Sequence, residues 1–358
     1  VKMKQRIKKL REELEKEEID ALLINNPKNR QYLTGFTGTS GLVLISRDSA
    51  KLITDFRYTE QAAEQAESYE IIEQGTSKLA TLNQVLTSVG IDKLGFEAQA
   101  ISYQQYLKYQ EKLEVELKAT TNVVAGLRQI KDKQEIDKIS QAVEITDYAF
   151  EQIQEQLKVD AVEKEISLEL EFLQKEQGAS KNAFDFIVAS GERGAMPHGV
   201  ASDKEIAEGD FVTMDFGCVY QGYHSDMTRT VLLGAEATKK QKKIYDLVLE
   251  AQQSAIEAIE PGKTGQEIDE VARNIISEAD YGANFGHGLG HSLGLEIHEN
   301  PKLSRKDETV LKAGMVVTVE PGIYIPEWGG VRIEDIVVVT EDGCEILTNS
   351  TKELLTLK

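Results

Sequence analysis

The sequence predicts an α/β N-terminal domain followed by an α+β C-terminal domain with an internal pseudo-twofold repeat. Three observations lead there. Short apolar runs alternate with amphipathic stretches as far as residue 120. The order helix, helix, strand, hairpin then occurs twice, over 132–235 and over 241–345. Lastly, one stretch is written twice, as Gly209-Asp-Phe-Val-Thr-Met-Asp-Phe-Gly217 and Gly314-Met-Val-Val-Thr-Val-Glu-Pro-Gly322. In both copies a turn glycine opens an apolar, β-branched run, and a Thr sits two residues before a carboxylate. Asp215 and Glu320 thus hold equivalent places.

In the first domain, residues 4–18 read as an amphipathic helix with Ile7, Leu10 and Leu14 on one face. Ala21–Ile24 is a short buried strand, and Tyr32-Leu-Thr-Gly-Phe-Thr-Gly38 a glycine-punctuated loop. Strands are expected at Gly41–Ile45, Ala50–Thr54, Tyr69–Ile72 and Lys93–Phe96. Helices follow Asp55 through Ala66, then cover Ser77–Val89 and Ser102–Glu111. No glycine fingerprint for dinucleotides or phosphates occurs there. Asp55 and Arg57 read as a turn-stabilising ion pair.

The pattern breaks at Thr120-Thr-Asn122, placing the domains at 1–125 and 126–358. Three helix starts then carry an acid or Thr cap with Glu three residues on, at Asp132, Asp160 and Thr264, the last a full capping box. The second of these helices ends at Gly178, as a helix-terminating glycine should. In the second half, helices are expected over Gln241–Ile259 and Thr264–Ala279.

A chain of 358 residues has ample length for two domains and a large core. Its 41 basic against 61 acidic residues leave a formal charge of −20, which argues against a nucleic-acid backbone as partner. No run approaches the ~18 apolar residues that span a bilayer. The opening segment (Arg6, Lys8, Lys9, Arg11, Glu12) lacks an uninterrupted apolar core of signal-peptide length. Cys218 and Cys344 stand in no metal or redox spacing, so a cytoplasmic location is expected, with Cys218 as strand filler.

The chemistry concentrates in the repeat. Each copy continues through a turn (Tyr220-Gln-Gly-Tyr; Pro326-Glu-Trp-Gly-Gly) into a strand with another acid, Asp226 and Glu334. Carboxylates on strands that read as buried require partners or a cation; the bland alternative is four edge-strand acids facing water. All five histidines lie between 198 and 298, three of them in Phe285-Gly-His287-Gly-Leu-Gly-His291-Ser-Leu-Gly-Leu-Glu-Ile-His298-Glu299. His198 sits in Met196-Pro-His-Gly199, while His224 reads as surface or packing. Four carboxylates with an imidazole suit Mn²⁺, Co²⁺, Fe²⁺ or Zn²⁺. They are too many for one zinc, and match two divalent ions ~3.5–4 Å apart.

The motifs Met-Asp-Phe-Gly, Ser-Asp-Met-Thr-Arg-Thr, Gly-His-Ser-Leu-Gly-Leu-Glu-Ile-His-Glu, Val-Glu-Pro-Gly-Ile-Tyr and Val-Arg-Ile-Glu-Asp occur in this order. Together they resemble the pita-bread dinuclear metallopeptidases, the family of prolidase, aminopeptidase P and methionine aminopeptidase, with creatinase as a metal-free relative. The likeness covers 130–358. The N-terminal segment resembles the creatinase-type domain through Tyr-Leu-Thr-Gly-Phe-Thr-Gly and Thr-Asp-Phe-Arg-Tyr, which points to the two proline-specific branches.

The resemblance implies two metal ions, Mn²⁺ by analogy, with Co²⁺ or Zn²⁺ compatible. Asp215 would chelate one, Asp226 and Glu334 would bridge, and His291 and Glu320 would hold the other. It implies Glu320 as proton shuttle, His198 and His298 around the scissile bond, and His287 and Arg332 on the proline side. Arg332 read alone serves equally well as a counter-ion for the acids. The implied activity is hydrolysis between an N-terminal residue and proline in dipeptides or short peptides, by a homodimer. Alternatives are an Xaa-Pro aminopeptidase acting on longer peptides, another small-amide hydrolase, and a non-catalytic scaffold on the same fold.

Overall fold

A computed structural model describes residues 2–358. It divides into two compact units, one ending at Arg128 and the other running from Gln129 to Lys358. No helix among the described residues is long and apolar enough to cross a membrane.

The first unit is a six-stranded sheet in the order Glu70–Glu73, Ala50–Thr54, Leu42–Ser46, Ala21–Ile24, Lys93–Glu97, Glu116–Thr120. Its two central pairings, which join Ala21–Ile24, Leu42–Ser46 and Ala50–Thr54, are antiparallel. The outer pairings are parallel and need crossovers, which the helices Thr59–Gln65, Lys78–Val89 and Tyr103–Lys112 provide. The Lys2–Lys16 helix buries Leu10 and Leu14; it stops short of the expected end because Glu18 takes a positive φ of 50°.

One expectation is corrected here. Tyr32, Leu33 and Thr34 do not open a loop but close a helix, Pro27–Thr34. Asn26 caps it by accepting the N–H groups of Lys28 and Asn29, Pro27 occupies its first turn, and Gly35 at φ 80° ends it. Asp55 and Arg57 do pair, Nε to Oδ1 at 2.7 Å, while the Asp55 side chain also accepts the Arg57 N–H to cap a short turn.

The second unit is duplicated. Lys133–Ile153 and Glu163–Glu176 precede the first hairpin, and Lys239–Glu257 and Gly265–Glu278 the second. Capping boxes form at Asp132 with Glu135 and at Thr264 with Glu267; a third, Thr238 with Gln241, heads Lys239–Glu257. The cap expected at Asp160 does not form. Asp160 sits at φ 67°, the helix begins after Val162, and no side chain caps it. Glu163 has turned inward to other partners.

The first half builds a sheet in the order Thr356–Leu357, Met227–Leu233, Phe211–Phe216, Ile187–Ser190. The second builds Glu299–Leu303, Gly290–Ser292, Val316–Val319, Asp335–Val339, Cys344–Ile346. In the turn after Tyr220, Gln221 and Gly222 both take positive φ (47° and 88°), the hairpin geometry that matches strand twist. Each half packs its helices on its sheet. One core gathers Phe150, Leu170 and Met214, the other Val248, Ile276 and Val337.

The two hairpins meet along a seam. Glu334 donates its N–H to Thr228 O at 3.1 Å, and Thr230 Oγ1 both donates to Arg332 O (3.0 Å) and accepts the Arg332 N–H (3.2 Å). Backbone and threonine hydroxyl bonds across this line bring the acid-bearing strands of both copies together.

Candidate metal centre

Asp215 lies within the strand Phe211–Phe216, and the other three acids sit in interruptions of their hairpins. Asp226 falls between Tyr223–His224 and Met227–Leu233, Glu320 between Val316–Val319 and Gly322–Ile325, and Glu334 between Gly329–Arg332 and Asp335–Val339. A break in the ladder frees a side chain from strict alternation and re-aims it. Simple alternation would put Arg332 and Glu334 on one strand face, but the strand ends at Arg332 and the next begins at Asp335, so the ladder breaks between them although both reach the seam.

One carboxylate oxygen each from Asp215, Asp226 and Glu334 come within 4.8 Å of one another. Three of the four acids are oriented by a neighbour. Arg332 Nη2 donates to Asp215 Oδ2 at 2.6 Å, Thr228 Oγ1 to Glu334 Oε2 at 2.7 Å, and Thr318 Oγ1 to Glu320 Oε1 at 3.1 Å. The remaining oxygens, Asp215 Oδ1 and Glu334 Oε1, are buried without a hydrogen-bond partner. Buried carboxylate oxygens left without a partner are costly unless a cation satisfies them.

His291 joins this group. Its Nε2 lies 3.5 Å from Asp226 Oδ2 and 3.4 Å from Glu320 Oε1, while Nδ1 lies 3.2 Å from Ser292 O. A proton on Nδ1, donated to that carbonyl, leaves the Nε2 lone pair facing the acids, as metal-ligating histidines require. Burial, reinforced by His298 with its ring 4.5 Å away, lowers its pKa to about 4, so the ring is neutral. Gly290 is needed beside it, because a Cβ there would stand 2.0 Å from Thr318 O.

The carboxylates respond in the opposite sense. Burial, then repulsion from Glu334, Asp215 and Glu320, holds Asp226 well above the usual carboxylate range. Burial and the neighbouring acids raise Glu334 likewise, and burial pushes Glu320 up to about 7. Divalent cations replace the protons such a cluster otherwise retains. The donor set, four carboxylates and a neutral imidazole with open oxygens turned inward, fits the oxygen-preferring divalent metals.

A cavity of about 580 Å³ opens over this centre. His198, His287, His291 and His298 all line it, as do Asp215, Asp226, Glu320 and Arg332, so the structure gathers these predicted residues at one place. Glu334 lies beneath, buried among the acids. His224 stays outside, buried with Nδ1 3.0 Å from Gly294 O, and Cys218 is packed away, its thiol pushed up to about 11 by burial.

Several participants escaped the sequence reading. The Tyr324 hydroxyl accepts from Arg332 Nη1 at 2.8 Å and lies 2.9 Å from His287 Nε2; burial pushes its pKa up to about 12. Its signal was present in Val-Glu-Pro-Gly-Ile-Tyr. Arg332 is committed to Asp215, Tyr324 and Thr228, which makes it the counter-ion of the centre. Lys131, buried at the head of the unit, donates to Ser292 Oγ at 2.9 Å and pairs with Glu299 at 3.4 Å, bracing the segment between His291 and His298. A single lysine so far away in sequence carries no signal of that.

A duplicated α+β domain with acids at its seam defines a metallopeptidase class, and the family comparison agrees. Residues 137–341 match metallopeptidase family M24 and residues 6–130 the creatinase/prolidase N-terminal domain, so the chain belongs to metallopeptidase family M24. Its fold is accordingly a creatinase-type α/β domain followed by a pita-bread catalytic domain.

Among particular proteins, the chain is 44% identical to the Xaa-Pro dipeptidase of Pyrococcus furiosus, over 99% of this chain and 100% of that one. The structure of an Xaa-Pro dipeptidase from Bacillus anthracis superposes with a TM-score of 0.98 at 48% identity, covering 99% of this chain and 100% of the other. An X-Pro aminopeptidase from Thermotoga maritima follows the same fold at 39% identity and a TM-score of 0.90, over 95% of this chain and 98% of that one.

Proposed function

We propose that this protein is a metal-dependent Xaa-Pro dipeptidase that cleaves the bond between an N-terminal residue and proline. The observation that carries the reading is the intact acid and imidazole set at the seam, with two orphaned carboxylate oxygens under a histidine-lined cavity. Similarity to Xaa-Pro dipeptidases along nearly the whole chain supports the substrate class.

Asp215, Asp226, His291, Glu320 and Glu334 would hold two divalent ions, Mn²⁺ by analogy. When bound, these supply Lewis acidity toward the scissile carbonyl and the attacking water. Glu320 takes the proton of that water and delivers it to the leaving proline nitrogen. His198 and His298 steady the peptide on either side of the scissile bond. His287, with Tyr324 and Arg332 behind it, forms the wall that faces the proline ring. The X-Pro bond lacks an N–H, so a site that grips the amino terminus and the ring replaces the hydrogen bond an ordinary peptidase would use. A homodimer in the cytoplasm is part of this reading; the two free cysteines suit a reducing compartment.

A second reading, cleavage of longer peptides, is favoured by the likeness to the Thermotoga maritima X-Pro aminopeptidase. Assaying Ala-Pro beside Ala-Pro-Yaa tripeptides with the Mn²⁺-loaded protein tests the choice. Dipeptide-only turnover is expected; comparable tripeptide cleavage selects the aminopeptidase, and failure on both with metal bound overturns the proline-specific reading. Elemental analysis of protein purified without added metal identifies the ion, and light scattering tests the dimer.

A further inference from the structure

The segment that presents His198 leaves the strand Ile187–Ser190 at Ser190, turns through Gly191–Ala195 and returns at Ser202. Among the described residues no side-chain hydrogen bond holds the His198 ring itself, so the backbone of this loop decides where the ring stands. What decides the backbone is a carboxylate that lies outside the cavity.

Glu163, in the first turn of the helix Glu163–Glu176, has a side chain that is 0% exposed. Its Oε1 accepts the N–H and the hydroxyl of Ser190, both at 2.8 Å. Its Oε2 accepts the N–H and the hydroxyl of Ser202, at 3.1 and 2.6 Å, and Arg193 Nε at 3.0 Å. Arg193 passes the tether onward, Nη2 donating to Val200 O at 2.6 Å. One carboxylate thus ties the loop's departure, its return and its middle with five charge-assisted bonds. The positive end of the helix dipole favours the anion at that place.

The opposite side of the loop is set by close backbone approach. A Cβ on Gly330 would stand 2.1 Å from Gly194 O, and one on Gly329 2.7 Å from Gly191 O. Pro197 O, one residue before the histidine, receives Arg332 Nη1 at 3.4 Å. The loop is therefore closed at its base by Glu163 and seated against the second hairpin at its tip.

We propose that Glu163 is a positioning residue of the peptidase site, acting through the 190–202 loop to set the place of His198. This rests on the reading of His198 as a group that touches the peptide. Glu163→Gln keeps the volume but turns an amide N–H₂ toward donors, so part of the tether is lost. In the full-length, metal-loaded protein, kcat for Ala-Pro should fall roughly ten- to a hundredfold with metal content unchanged, the size expected for a displacement of about 1 Å. In a His198→Ala background the same substitution should cost less than about twofold, because the ring it positions is gone. Ser202→Ala removes only a hydroxyl and should show the same pattern at smaller size in a fully folded protein.

Hydrogen exchange on the metal-free protein reads the latch without activity. Amides of 191–202 should exchange faster in both variants, while 285–291 stays as in the parent. Equal losses of kcat in both backgrounds, lost metal, or unchanged exchange of 191–202 overturns the proposal. Normal turnover of His198→Ala alone strikes the role of that histidine, and is distinguishable because the exchange result stands independently of it.

Discussion

The two halves of the catalytic unit share their strand plan and differ in how they deliver histidine. In the first, one loop carries His198 to the rim, latched by Glu163. In the second, the Asp269–Arg273 pair of the helix Gly265–Glu278 does the corresponding work. Arg273 donates to Phe285 O at 2.9 Å and to His287 O at 2.8 Å, while Asp269 accepts the Leu289 N–H at 3.0 Å. Among the described residues, only this half sends an imidazole, His291, in among the acids. The hairpins had to keep their register to pair across the seam; the loops were free to diverge, and the asymmetry of the centre lives in them.

The repeated threonines show the same division. Thr318 donates to Glu320 and accepts the His291 N–H, so it braces two candidate ligands. Its counterpart Thr213 faces Thr230 at 3.1 Å and touches no acid. Equivalent positions in sequence have become unequal in chemistry.

The strongest way to break the comparison is to remove an acid from each half. Asp226→Ala and Glu334→Ala should each reduce Xaa-Pro hydrolysis to background and lower bound metal measured by elemental analysis. If one of them retained near-normal turnover, the halves would not share one centre. Next, Asp269→Asn should destabilise by about 3–5 kcal/mol, since it leaves the buried Arg273 cation without its carboxylate. Urea unfolding checks this, and a loss below about 1 kcal/mol would make the pair a surface-like bridge.

Smaller and sharper is the threonine contrast. Thr318→Val should weaken metal affinity roughly ten- to a hundredfold by titration, because it unbraces Glu320 and His291. Thr213→Val should leave metal affinity alone and cost about 1 kcal/mol of stability for the lost hydroxyl bonds to Thr230 and Gly330. Equal effects on metal from both substitutions would mean that the halves contribute alike.

Much of this was legible beforehand because it is local or periodic. The capping boxes at Asp132 and Thr264 are four-residue patterns, the hairpin turn at Gln221-Gly222 is a backbone signature, and the duplicated acids are a spacing. The helix over Pro27–Thr34 was missed because glycines at 35 and 38 read as a loop that reaches further back than it does. Asp160 was misread as a cap because spacing alone does not say where the Glu three residues on will point.

The sequence by itself determined the two-domain plan, the repeat, and which side chains could serve as ligands, since these follow from patterns along the chain. Only tertiary structure decided that Arg332 neutralises Asp215, that Tyr324 stands between Arg332 and His287, and that Lys131 braces Glu299. It likewise decided that Glu163 holds both ends of a loop. Most of these are contacts between residues far apart along the chain, set by which buried polar group needed a partner where the elements came together. That need is a property of the packed interior and has no period or spacing to announce it.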